Sequence, residues 1–315
     1  MATTLRKTRS GRKPRRTVPP LLREALVRLA ADPALRDRVP RDAVAVPRRY
    51  ARDRGREVVA LLAALFAFGR VASFQSFLDA LLVRLGPSPD QGLSGVGEED
   101  LMRLARGLRY RWVGESDVGC LLVGIRRTLL EDGSLEGAFG RAPRGSADDY
   151  GEELSFLVGR LARGWDGRIG RSGRHLLADP SRGSSSKRLC LFLRWMVRPD
   201  DGVDLGLWTG LETRRLVVPL DTHVHRVGLR TGLVRRKSAT WSTARELTGA
   251  LREVDPEDPV RLDFALCHLG MSGRCPARTT ADGCSSCPLL PGCPTGKRRI
   301  RSKRAGRTDL LSDLG

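Results

Sequence analysis

HLLADPSRGSSSKRLCLFLRWM, residues 175–196, closes one helical pattern, passes through a turn of small residues and opens a second apolar helix at Lys187. The turn Arg182-Gly183-Ser184-Ser185-Ser186 would present successive backbone N–H groups at a helix N-terminus, an arrangement suited to a phosphate. Serines also cap helices, and capping is the other reading of this turn. Lys187 stands out by composition. The chain holds six lysines, and Lys237 is the one other lysine away from the termini. Where arginine fills almost every basic position, a retained lysine suggests an amine that must lose its proton, which arginine cannot do. An ordinary surface lysine is the alternative.

Outward from this turn, apolar residues recur at helical spacing. Residues 57–85 carry such a pattern, interrupted around Gly69 and ended by GPSP. Residues 97–106, 116–131, 151–165, 188–198, 243–254 and 259–270 carry it too. Clean alternation is scarce, and VVPL (217–220) is too short for a dependable strand. The expectation is an all-α protein of roughly ten helices.

Basic residues outnumber acidic ones by 56 to 36, a net charge of +20, which favours a polyanionic partner, nucleic acid first. Much of the excess lies at the ends. Residues 1–20 carry seven bases and no acid, and residues 294–315 carry seven bases and two acids. Both read as basic disordered tails that could hold phosphates loosely, or simply solubilise the chain. The longest uninterrupted apolar run, Val58–Phe68, is short of the ~20 residues that span a bilayer. No apolar signal core follows the basic N-terminus. A cytoplasmic, nucleoid-associated monomer with no obligate protein partner is expected.

LVVPLDTHVHRVGL (216–229) places Asp221, His223 and His225 two apart. Asp221 reads as the cap of a short helix that stops at Gly232. On that helix His223 and His225 point about 200° apart, so His223 is expected to hydrogen-bond beneath Asp221 and His225 to lie at the surface. A hydrolytic metal site of Asp221, His223 and His225 remains an alternative.

Cysteines cluster as well. Cys275, Cys284, Cys287 and Cys293 follow a C-x8-C-x2-C-x5-C pattern inside nineteen residues. Thiolates packed so closely in a Gly/Pro loop can reach one centre, and soft sulfur selects zinc or an iron–sulfur cluster. Structural zinc sites usually pair two knuckles across a longer spacer, so a [4Fe–4S] cluster is expected, with Zn as the alternative. Cys120, Cys190 and Cys267 lie in apolar helical patterns and read as buried core residues.

The order of these features, a Gly-containing hairpin ending in lysine, then PLDTHVHRV, then four closing cysteines, resembles the endonuclease III branch of the helix-hairpin-helix DNA glycosylases. REVVALLAALFAFGRV (56–71), LGPSP (85–89), DGSLEGAF (132–139), SKRLCLFLRWMVRPDDGVDLGLW (186–208), PLDTHVHRVG (219–228) and DPEDPVRLDFALCHLG (255–270) resemble more closely a bacterial family of unknown function related to those enzymes. That likeness covers roughly residues 50–293. The resemblance implies a two-lobed glycosylase-like fold, DNA as partner, and excision of a damaged or mispaired base with possible lyase chemistry. It implies Asp221 and Lys187 as catalytic residues, Arg182, Gly183, Ser184, Ser185 and Ser186 as a DNA-phosphate site, and the four cysteines as cluster ligands. A flipped base would enter a pocket near Phe68, Gly69, Arg70, Gln75, Trp208 and His223. Three departures stand out. The hairpin reads G-S-S-S-K where those enzymes carry G-x-G-x-K, the first cysteine gap is longer, and PDDGVDLGLWTGLETRR (199–215) is inserted between Lys187 and Asp221.

The expected organisation is a basic tail (1–20), an N-terminal helix packing on the second lobe (21–54), and a central bundle ending in the hairpin and the extra segment (55–215). A lobe with the catalytic aspartate and the cysteine loop (216–293) and a second tail (294–315) follow. A nucleic-acid-binding protein of this fold without catalysis is the competing expectation.

Overall fold

The computed structural model describes residues 17–51, 53–143, 145–278 and 280–312, among which no strand occurs. The helices are α1 (Pro20–Ala30), α2 (Arg54–Phe66), α3 (Val71–Leu85), α4 (Pro89–Ser94), α5 (Glu98–Leu104), α6 (Glu115–Asp132), α7 (Leu135–Gly140) and α8 (Gly151–Ala162). They continue as α9 (Arg171–Leu176), α10 (Lys187–Val197), α11 (Thr222–Thr231), α12 (Trp241–Val254), α13 (Asp263–Met271), α14 (Ala281–Ser285) and α15 (Pro294–Ser312), joined by short 3-10 turns. The all-α expectation holds for the described residues. None of their helices is long and apolar enough to cross a membrane.

The long pattern over 57–85 breaks where the sequence places Gly69. Asp53 caps α2 by accepting from the Arg56 N–H, and α2 is apolar on nearly every face, so it lies in the interior. The chain leaves that helix through Gly69 at φ +87°, a conformation costly for other residues. A Cβ there would also meet Arg111 Nη1 and Tyr110 Oη at 2.8 Å. The Tyr110 hydroxyl donates to the Phe68 carbonyl, which fixes the corner before α3 starts.

Helix contacts fall into two sets. In one, α2 packs on α3, α4 and α10, while α6 packs on α4, α5, α7 and α8. In the other, α11 meets α13 and α15, α14 meets α15, and α1 lies on α12 and α13. One continuous apolar core runs through both sets.

Residues 199–215 bind the sets together. Their backbone runs back along α10, with the Leu205 N–H on Trp195 O (2.9 Å) and the Trp208 N–H on Met196 O (2.8 Å). Asp204, fully buried, accepts from Arg194 Nε at 2.9 Å and from Arg198 Nη1. Arg194 also donates to Asp263 on α13, and Arg198 donates to Asp258 at 2.8 Å. Charges this deep persist only when partnered.

Two expectations are corrected here. Trp208 does not reach any pocket near the catalytic candidates. It is 2% exposed, and its indole N–H donates to Glu57 Oε1 at 2.7 Å, inside the core. The C-terminal basic segment is not an irregular tail over its described part, since Pro294–Ser312 form α15, which packs on α11 and α14. The N-terminal tail expected over 1–20 falls largely outside the described residues.

Candidate active site

A cavity of about 650 Å³ opens where α10, α11 and α13 meet the corner after α2. Asp221 and Lys187 both line it, although 33 residues separate them in the chain. Pro219 brings the chain in extended, and Asp221 then caps α11, its Oδ1 accepting from the backbone N–H of His223 (2.8 Å) and of Val224 (2.7 Å). Oδ2 takes no part in the cap and accepts from the Cys267 thiol at 3.4 Å. Burial, helped by Asp221 and Asp263, pushes that thiol well above its ordinary pKa and keeps it a donor. Cys267 is therefore partly buried, packed against the core and also lining the cavity in contact with Asp221.

Lys187 is the first residue of α10. Among the described residues its amine has no ion pair or hydrogen bond, yet it lies close enough to act electrostatically on both Asp263 and Cys267. Asp263 begins α13 and is 2% exposed. Its Oδ2 accepts from Arg194, while its Oδ1 is buried without a partner among the described residues. Burial pushes Asp263 up to about 6, Arg194 and Lys187 oppose the rise, and Asp221 adds to it. Arg194 is shared with Asp204, so Asp263 receives only part of its countercharge.

Another part of the wall is aromatic. Phe68 and Trp112 stack with ring centroids 5.2 Å apart and planes 25° from parallel. His175 meets both edge-on. The Arg111 guanidinium lies 4.9 Å from the Trp112 ring centre, and that of Arg188 lies 5.2 Å from the Phe68 ring centre. His175 Nε2 is 2.9 Å from Arg188 Nη1. A guanidinium can only donate, so this ring nitrogen accepts and the imidazole is neutral. Burial and Arg188 push the histidine down to about 4, although its outer rim remains exposed. Burial also lowers Arg188 to about 10.

The turn before α10 is shared between structure and cavity. Ser184 and Ser185 line the cavity, and Arg182 and Gly183 are exposed. Ser186 is 1% exposed and left-handed at φ +46°, and its hydroxyl donates to Ala178 O at 2.7 Å, so it is not available to a phosphate. Gly183 O accepts from the Trp241 N–H at 3.1 Å, which ties the turn to α12.

Of the expected pocket residues, Phe68, Gly69 and His223 line the cavity and Arg70, Gln75 and Trp208 do not. His225 is not at the surface. It is 8% exposed, with Nε2 2.8 Å from Arg236 O, while His223 Nδ1 lies 3.0 Å from Arg226 Nη2. The two imidazoles thus face different partners. Among the described residues no three His, Cys, Asp or Glu side chains converge as metal ligands, the set Asp221, His223 and His225 included. Trp112, Arg111 and Asp263 were not anticipated from sequence.

The four cysteines share one loop, closed by the Cys287 N–H on Cys284 O (3.1 Å) and the Cys293 N–H on Leu290 O (3.1 Å). Burial pushes Cys287 and Cys293 up, and neighbouring cysteines add to it. Arg230 Nη1 lies 3.1 Å from Cys275 Sγ, and the Gly296 N–H 3.3 Å from Cys293 Sγ. Donors to sulfur of this kind are the outer contacts that thiolate ligands use. The donor set fits a thiolate-bound group, while the sulfurs as they stand do not close into a ligand set.

No curated protein matches this chain. A family model described as protein of unknown function (DUF2400) matches residues 42–272, which include every wall of the cavity except Arg41 and stop just before the cysteine loop. The chain belongs to the DUF2400 family.

Proposed function

We propose that the chain is a DNA-binding, glycosylase-like protein that excises a base from a nucleotide turned out of its strand. One observation carries this reading: a carboxylate and an amine from separate helices line a single cavity large enough for a nucleoside. As the bond from sugar to base breaks, the base leaves with the electron pair and C1′ becomes positive. Asp221, with Oδ1 locked in the helix cap, holds its charge in place to stabilise that carbon. Asp221 also takes the proton from the attacking group. If that group is the Lys187 amine, a bond forms from Nζ to C1′ as the proton leaves for Asp221, and lyase chemistry follows. Phosphates would rest on Arg182, Gly183, Ser184 and Ser185, with the net charge of +20 as the longer-range attraction.

Cys275, Cys284, Cys287 and Cys293 would hold a [4Fe–4S] cluster, or zinc. When bound, the group would staple the C-terminal loop and supply no step at the cavity. Iron and zinc content with a visible absorbance spectrum separates the two.

Borohydride trapping on abasic DNA tests the amine, and base release from a panel of lesion-containing oligonucleotides tests the carboxylate. Lys187→Gln should abolish trapping, and Asp221→Asn should abolish release. Asp221→Asn behaving as wild type would leave a binding protein without catalysis.

A further inference from the structure

Two features of the cavity have no part in that chemistry. Asp263 is one. Its side chain is 3% exposed, Arg194 occupies Oδ2, and Oδ1 faces no donor among the described residues. A buried acceptor left bare is costly unless something that enters the cavity supplies a donor. The second feature is the aromatic wall. Trp112 stays 46% exposed although it lines the cavity and stacks on Phe68. Its turn is rigid: Tyr110 and Val113 exchange both backbone hydrogen bonds at 2.9 Å, with Arg111 left-handed at φ +56° between them.

The charges around this space select the kind of guest. A cation would meet Arg41, Arg111, Lys187 and Arg188, and an anion would meet Asp42, Asp221 and Asp263. A flat, neutral ring suits the wall, and a ring that carries an N–H suits Asp263. Resting on the excision reading, we infer that the cavity takes a neutral nucleobase that displaces the Arg111 guanidinium and stacks on Trp112, with an N–H of its edge donated to Asp263 Oδ1.

Asp263→Asn inverts the polarity of this contact. In Asp263→Asn the amide oxygen must turn towards Arg194, because guanidinium only donates. The NH2 group then takes the place of Oδ1 and offers a donor where an acceptor stood. Two small ligands of one ring type read the change: 1-methylcytosine, which carries an exocyclic amine, and 1,3-dimethyluracil, which has carbonyls and no N–H. Titration followed by protein NMR should find wild type binding the cytosine at least about tenfold more tightly. Asp263→Asn should erase or reverse that preference. Trp112→Ala should weaken both ligands by about tenfold or more, as loss of a stacking partner does.

Equal binding of the two ligands by wild type overturns the inference, as does a preference that survives Asp263→Asn or affinity that survives Trp112→Ala. Should Asp263→Asn fail to fold by circular dichroism, the wild-type ratio and the exposed Trp112 still decide. A cytosine preference with no base released from any lesion oligonucleotide sinks the excision reading alone. Base release with no such preference sinks this inference alone.

Discussion

Asp204→Asn isolates the buried network, because the substitution preserves volume and removes one charge. Asp204 is fully buried and accepts from two guanidiniums, Arg194 and Arg198. The amide can accept from only one of them and must turn an NH2 towards the other. Arg194 keeps Asp263, and Arg198 keeps Asp258 and Asp201, so neither cation is left without a partner. One charge-assisted bond of about 1.5–3 kcal/mol is lost and a second is weakened, so the cost should fall at about 3–5 kcal/mol, the range found for breaking buried ion pairs. At about 2 °C per kcal/mol for a chain of this size, the thermal midpoint should fall by about 6–10 °C. Asp201→Asn serves as control. Asp201 is 37% exposed, so its pair with Arg198 should contribute under about 1 kcal/mol. Calorimetry on both variants checks the difference. Equal, small shifts would mean that water reaches Asp204 and that residues 199–215 do not fasten α10.

Further outcomes are expected elsewhere. With Asp263 raised from 3.8 to about 6, the folded chain binds more protons than the unfolded one between those values. Stability from this group therefore falls as pH rises through that window and is level above it, by roughly 3 kcal/mol in all. His175, pushed down to about 4, slopes the other way, so the comparison is between His175→Gln and His175→Gln/Asp263→Asn in urea melts at several pH values. A Cβ on Gly124 would lie 1.9 Å from Leu161 O. Gly124→Ala should thus force α6 from α8 and lower stability by about 1–3 kcal/mol in a denaturant titration. Glu57 accepts from the Leu135 and Glu136 N–H groups and the Trp208 indole. Glu57→Gln must turn an NH2 towards one of these donors, costing about 1–3 kcal/mol, visible as a lower urea midpoint.

Helices with a strong apolar period are legible in the sequence alone, because burial of one face leaves its spacing there. The break at Gly69 was legible for the same reason, as a fault in that spacing. Asp221 and Lys187 were singled out by type and context, but spacing alone could not bring them to one cavity, since that depends on how α10 and α11 pack. Trp112 and Arg111 escaped notice because RYRW lies in a short turn between glycines, where no period marks which side chain faces inward. Asp263 is one of five acidic residues between Glu253 and Asp263. Only the partner of each oxygen distinguishes it from the caps and surface pairs around it. Trp208 misled in the opposite sense. An aromatic in an irregular segment reads as available, and its indole proves to be spent on Glu57. Cys267 sits at a helical position that normally means core, and the cavity beside Asp221 happens to open there.

Arg194 lies seven residues, two helical turns, beyond Lys187, and so on the same face of α10. Its grip on Asp263 crosses from one set of helices to the other beside the cavity. Parting the two halves like jaws would break this buried ion pair, a cost that favours a fixed mould over an opening one. Whatever enters must do the bending. On the proposed excision reading, a site in a nucleic acid that unstacks cheaply would be admitted ahead of a well-paired one before any group in the mould had touched it.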